Sequence, residues 1–100
     1  MNINITARKF KARESLKDFV HSEVKSLNKY HDNILDVDVV LSYQNSRDSV
    51  KIAEITLHIP KRTFFATQQS DDFEKSISSA VEKLIRQLIT LKSKRTRRGK

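Results

Sequence analysis

The spacing of apolar residues along the chain switches between two periods, and each period predicts a type of element. At the N-terminus, Ile3 and Ile5 alternate with polar residues, which is the two-residue period of a strand with one buried face. From about residue 14, apolar residues recur at three- and four-residue steps, the pattern of an amphipathic helix. This first stripe comprises Leu16, Phe19, Val20, Val24, Leu27 and either Tyr30 or His31. Ser15 and Asp18 loosely match a capping box at its start, and Asp32-Asn33 is expected to end it.

Alternation returns in the middle of the chain, over three segments separated by polar turns. In the first of these three segments, the inward positions are Leu35, Val37, Val39, Leu41 and Tyr43. In the second segment, they are Ala53, Ile55, Leu57 and Ile59. A further strand is expected over residues 63–67. The polar stretch 44–49 separates the first segment from the second. Residues 60–62 separate the second segment from the third, because proline cannot extend a central strand. On the outer face we expect Val40, His58 and Phe64.

The longest apolar stripe lies near the C-terminus and predicts a second helix of about five turns. Its members are Phe73, Ile77, Ala80, Val81, Leu84, Ile85, Leu88 and Leu91. Asp71, with Glu74 three residues later, is expected to cap this helix. The predicted element order is therefore β-α-β-β-β-α. Short connections favour an α+β fold with a four-stranded, mostly antiparallel sheet and both helices on one face.

The composition narrows the possible function classes. The 100 residues suit one domain, which we expect over 1–94, and the absence of cysteine excludes disulfides and thiolate zinc sites. The single glycine, Gly99, leaves no glycine-rich loop that could hold a phosphate. The chain shows neither a secretory signal nor an apolar run of ~18–20 residues, so we expect a cytoplasmic protein with no membrane partner.

The net charge of +8 is concentrated at the C-terminus. Residues 92–100 hold six of the 20 basic residues and no acid, which leaves 14 basic and 12 acidic residues, or +2, in the first 91. We expect residues 95–100 to form a basic tail that is mobile in the free protein, because they contain no apolar side chain. A cationic segment of this density usually meets a polyanion.

Basic residues also recur on the polar side of the second predicted helix. Lys83 and Arg86 are three residues apart, so their head groups are neighbours. If the helix continues, Lys94 and Arg97 extend roughly the same side into a ridge about 30 Å long. Such a ridge can follow the phosphate lines of A-form RNA without reading its sequence, and arginine adds bidentate phosphate contacts. The alternative interpretation is an ordinary solvated helix face.

Candidate catalytic and metal-binding groups are sparse. The three histidines, His21, His31 and His58, match no metal-ligand spacing and are interpreted as surface residues. Asp36 and Asp38 share one strand face and could hold a divalent ion in a small metal-dependent nuclease. A solvated strand face that discourages edge pairing is favoured instead. We therefore expect no catalytic residue, no metal and no other cofactor.

Four patches of sequence resemble the ribosome hibernation-promoting factors, in that family's order and spacing over residues 2–92. They are Ile3-Asn4-Ile5-Thr6-Ala7-Arg8, Ala53-Glu54-Ile55-Thr56-Leu57-His58-Ile59-Pro60, Ala66-Thr67 before an acidic helix start, and Lys83-Leu84-Ile85-Arg86-Gln87-Leu88. The resemblance implies a double-stranded-RNA-binding-like fold. It also implies binding in the small-subunit channel that messenger and transfer RNA would otherwise occupy, which stops translation on idle ribosomes. The rRNA contacts it implies are Arg8, Lys83, Arg86 and Lys92.

These positions and the basic segments together form the candidate site. We predict RNA contacts from Arg8, Lys9, Lys83, Arg86, Lys92, Lys94, Arg95, Arg97 and Arg98. The expected partner is the small ribosomal subunit, through its 16S-type rRNA, bound by a short-form monomer that takes no small-molecule substrate.

The chain departs from the family pattern in two places. Lys61-Arg62 stand where a glycine is common between the last two strands, and Glu23 and Ser26 replace lysines expected late in the first helix.

The alternative function is a free-standing double-stranded RNA-binding module. Such modules carry lysines at the start of their last helix, where this chain has Asp71, Asp72 and Glu74.

Overall fold

The computed structural model describes residues 1–44 and 50–98, with side chains placed through Lys92. The predicted polar turn therefore lies outside the described residues, except for Gln44. The elements are β1 (Asn2–Ala7), α1 (Glu14–Lys25), a 3-10 helix (Ser26–Lys29), β2 (Asp36–Gln44), β3 (Val50–Ile59), β4 (Arg62–Ser70) and α2 (Phe73–Arg98). The predicted α+β order, β-α-β-β-β-α, is confirmed.

The four strands form one sheet in the order β1-β2-β3-β4. β1 and β2 are parallel, with Ile3 opposite Val37, and the other two pairings are antiparallel. A parallel neighbour requires a crossover connection, which α1 and the 3-10 helix supply. α2 packs against β3 and β4 and also contacts α1, so both helices cover the same sheet face.

The buried core lies between this sheet face and the helices. Its fully or nearly fully buried residues are Val20, Val24, Leu27, Val37, Val39, Leu41, Ala53, Ile55, Leu57, Ala66, Ile77, Ala80, Val81, Leu84 and Leu88. Two predicted strand positions are wrong. Leu35 was predicted to face inward, but it precedes β2 and is 50% exposed, and its neighbour Ile34 is buried instead. Phe64 lies opposite Leu57 and packs against the core, so Phe65, which is 53% exposed, is the outward aromatic of β4. Because two phenylalanines are adjacent, the sequence does not show which of them faces the core, and a shift of one residue exchanges the two faces.

The predicted start of α1 near residue 14 is confirmed, but the predicted caps of both helices need correction. α1 begins at Glu14 after Arg13, with no side-chain cap, so Ser15 lies inside the helix and does not cap it. α2 begins at Phe73, and the carboxylate of Asp72 accepts the backbone N–H of Lys75 at 3.3 Å. Asp72 is thus the N-cap that had been assigned to Asp71.

The hairpin between β3 and β4 turns through Pro60 and Lys61, since Ile59 pairs with Arg62. Lys61 has φ 66°, the left-handed region that glycine adopts most easily. The turn requires a residue with positive φ at this position. This requirement explains why a glycine was expected here and why Lys61 adopts the left-handed conformation.

Candidate nucleic-acid interface

The exposed cations of α2 are held in place by buried residues next to them in sequence. Leu84 and Leu88 are buried in the core, whereas Lys83 and Arg86 are exposed. Among the residues that the structure describes, neither cation has an acidic partner within 4.0 Å. The helix backbone is fixed by its packing, so these two charges lose only side-chain freedom when they bind.

A second basic group lies on the opposite flank of α2. Lys92 follows Lys83 by nine residues, which at about 100° per residue places it half a turn away around the helix axis. It lines an open groove of about 500 Å³ with Lys29, Tyr30 and His31. Cations beside an exposed aromatic ring can contact a phosphate while the ring stacks on an unpaired base. The sequence pattern missed Lys29 and Tyr30, because this meeting depends on how the 3-10 helix packs against α2.

The flank that faces β4 also gains a cation from another element. Arg86 and Arg62 line a smaller groove of about 280 Å³, together with Phe64 and Thr90. The adjacent Gln87 donates from its side-chain amide to the carbonyl oxygen of Phe65 at 3.3 Å, which covers part of the edge of β4. Arg62 was predicted only as a turn residue, and the β3–β4 register brings it to this groove.

Arg8 and Lys9 lie at the other end of the molecule from Lys92. The next residue, Phe10, stacks on Phe73, the first residue of α2, with ring centroids 5.1 Å apart. This contact fixes the segment between β1 and α1 near the start of α2. At 1.5 Å per residue, Phe73 is about 28 Å from Lys92 along the helix. The structure therefore does not bring Arg8 and Lys9 into one cluster with the cations at the far end of α2.

The remaining candidates belong to the last turns of α2. Lys94, Arg95, Arg97 and Arg98 lie in a helix whose backbone continues through Arg98. The helical continuation predicted for residues 94 and 97 is confirmed. The position of their side chains lies outside the described part, and the division into a domain over 1–94 and a tail over 95–100 stays a prediction.

The outer sheet face has the opposite electrostatic character. None of the outward positions on the described strands holds a lysine or arginine, and three of them hold acids. These are Asp36, Asp38 and Glu54. Among the described residues, the cations that could meet a polyanion thus lie on the helical side and at the ends of the molecule.

A comparison with known families matches residues 3–96 to the family described as sigma 54 modulation protein / S30EA ribosomal protein. The chain belongs to this family. The ribosome hibernation promoting factor of Escherichia coli K12 is 31% identical over 94 residues, covering 94% of this chain and 96% of that relative. The S30EA relatives are named for ribosome hibernation and not for a catalysed reaction.

Two solved structures share the fold of this chain over most of its length. A ribosomal subunit interface protein from Coxiella burnetii has a TM-score of 0.82 at 22% identity, covering 93% of this chain and 99% of its own. The N-terminal domain of Thermus thermophilus Protein Y has a TM-score of 0.79 at 27% identity, with coverages of 88% and 96%. In the described part of this S30EA chain, no helix is long and apolar enough to cross a membrane.

One departure from the S30EA pattern has a structural role. Glu23, which stands where a lysine was expected, accepts a hydrogen bond from the hydroxyl of Ser78 at 2.9 Å. This contact joins α1 to α2. The hydroxyl of Ser26 donates a hydrogen bond to the backbone carbonyl oxygen of Glu23 at 2.6 Å. These two positions therefore support the helix packing, and Lys29 brings a cation to the end of this segment instead.

Proposed function

We propose that this protein is a ribosome hibernation factor that binds rRNA in the messenger and transfer RNA channel of the small subunit and thereby inhibits translation. The observation that carries this proposal is the separation of charge between the two sides of the molecule. Cations line both flanks of α2, and the outer sheet face has carboxylates and no lysine or arginine among its described positions. Membership of the S30EA family supports the same partner.

Charge separation gives the protein one orientation on RNA. The helical side is attracted to phosphates, whereas Asp36, Asp38 and Glu54 are repelled by them. The two basic flanks are separated by the width of a helix, about 10 Å with side chains, so α2 can lie between two phosphate lines and contact both. Recognition of this kind reads the shape of folded RNA and not its base sequence.

The protein inhibits translation by occupancy, because messenger or transfer RNA cannot enter a channel that the protein fills. No reaction is needed, and none of the proposed contacts involves a cofactor. We place the protein in the cytoplasm on ribosomes and expect it to bind as a monomer, since its apolar stripes are used by its own core.

The experiment combines cell-free translation with sedimentation of purified small subunits. The variant Lys83→Glu with Arg86→Glu should lose both co-sedimentation and inhibition. The matched control is Lys17→Glu with Lys75→Glu, which changes the net charge equally at lysines that already pair with Glu14 and Asp71. The control should keep most of both activities. Equal loss in both variants would mean that only total charge matters, and the proposed interface would be wrong.

A free-standing double-stranded RNA-binding module would use the same fold and helical side. Against it, Asp71 and Asp72 directly precede α2 and Glu74 lies in its first turn, so three acids repel phosphate at the end where such modules place lysines. A short RNA duplex added in excess should therefore compete weakly with small subunits. Competition at equal concentration would favour the module instead.

A further inference from the structure

Three metal-ligating side chains meet on the outer sheet face, which is the face opposite the helices. Asp36 and Asp38 are two residues apart on β2, so both side chains lie on one face. His58 on β3 is the direct cross-strand partner of Asp36. One ligand atom from each of the three residues lies within 4.8 Å of the others. Sequence spacing hides this group, because His58 is 22 and 20 residues away and only the strand register brings it in.

The distances within the group suit an ion at its centre better than direct contact. The Nε2 atom of His58 is 3.6 Å from Oδ1 of Asp36 and 3.4 Å from Oδ2 of Asp38. Both distances exceed the ~2.7–2.9 Å of a charge-assisted N–H···O hydrogen bond. Two ligands that each lie about 2.0–2.1 Å from a tetrahedral zinc ion are themselves about 3.3 Å apart. The observed separations are close to this value.

Neighbouring hydrogen bonds orient two of the three ligands. Nδ1 of His58 is 3.2 Å from the hydroxyl of Thr63, which directs Nε2 toward the carboxylates. The side-chain amide of Asn4 donates to Oδ1 of Asp38 at 2.9 Å, which leaves Oδ2 facing His58. Metal-binding histidines and carboxylates are typically held by such partners, which fix the ring and the carboxylate before the ion arrives.

The two carboxylates are also short of positive charge. Among the described residues, His58 is the one group within 4.0 Å that can offset them. Lys61 and Arg62 border the same surface depression, of about 670 Å³, but form no ion pair there among the described residues. The side chains of His58, Asp36 and Asp38 are 35%, 40% and 46% exposed, so an ion can reach them from solvent.

We propose that Asp36, Asp38 and His58 bind a Zn²⁺ ion, with water completing its coordination. Imidazole nitrogen and carboxylate oxygen are both ligands that zinc accepts, and three protein ligands with one open position is a usual arrangement. Magnesium fits less well, because it prefers six oxygen ligands in octahedral geometry. The bound ion links β2 to β3 and, through Asn4, fixes the position of β1.

The test is isothermal titration of the full, untagged chain with zinc chloride in a buffer that does not chelate metal. We expect one equivalent to bind in the micromolar range, and Asp36→Asn with Asp38→Asn to weaken binding at least tenfold. The control His21→Gln removes a histidine from α1 and should leave the affinity unchanged. Magnesium chloride at the same concentrations should produce no binding.

A second measurement does not depend on the variants folding. Histidine ring signals of the wild-type protein are followed by NMR during the zinc titration, and His58 should shift at one equivalent while His21 and His31 stay in place. The proposal is wrong if zinc does not bind below about 100 μM, if the asparagine variant folds and binds as tightly as wild type, or if His21 or His31 shifts first.

Discussion

Removing two cations from α2 should change how steeply ribosome binding depends on salt. We consider Lys83→Gln with Arg86→Gln, which deletes the charges and leaves Leu84 and Leu88 to hold the helix. Each phosphate contact contributes about 0.7–0.9 to the slope of log affinity against log salt, so losing two contacts should lower that slope by about 1.4–1.8. Between 50 and 200 mM monovalent salt, a slope change of this size amounts to roughly a tenfold difference.

The assay measures binding of labelled protein to purified small subunits at several potassium concentrations and one fixed magnesium concentration. The affinity ratio of wild type to variant should fall about tenfold from the lowest to the highest salt. Lys17→Gln with Lys75→Gln serves as the control, because both lysines already have acidic neighbours. If the variant binds more weakly but keeps the wild-type slope, the two side chains do not contact phosphates and the interface argument fails.

Three further predictions concern stability and the C-terminal segment. Leu84→Ala should lower the free energy of unfolding by about 2–5 kcal/mol in a urea titration, because the leucine is fully buried; a loss below 1 kcal/mol would contradict its place in the core. Lys61→Gly should raise the free energy of unfolding by about 0.5–1 kcal/mol, since glycine relieves a left-handed conformation; destabilisation would show that the lysine side chain is needed there. Deleting residues 95–100 removes four basic residues and should weaken ribosome binding while leaving the rRNA footprint in place; a footprint that moves would show that this segment selects the site.

Most of the fold was predictable because the apolar periods are regular. Strand alternation and two helical stripes identified the four strands and both α-helices, but not the 3-10 helix after α1, and short connections favoured the sheet that the structure shows. Two of the errors occurred where adjacent residues offered the same chemistry. Phe64 and Phe65 both suit a strand, and Asp71 and Asp72 both suit an N-cap, so only packing decides between the members of each pair.

The candidate site was less predictable, because it depends on which elements become neighbours. Helical spacing identified Lys83 and Arg86 and places Lys92 on the other flank, but it could not show that Lys29 lies beside Lys92. The same limit applies to His58, whose position next to Asp36 follows from the β2–β3 register. Sequence patterns within one element were therefore sufficient to predict which residues share a face. Contacts between residues of different elements could be identified only in the folded structure.

The proposed position of the helical side against rRNA in the small-subunit channel can be seen by electron cryo-microscopy of purified small subunits mixed with the full chain. We expect density for the protein within the channel, with α2 along rRNA phosphates and the face that carries Asp36, Asp38 and Glu54 turned away from them. Density outside the channel, or a complex in which the sheet face contacts rRNA, would contradict this proposal.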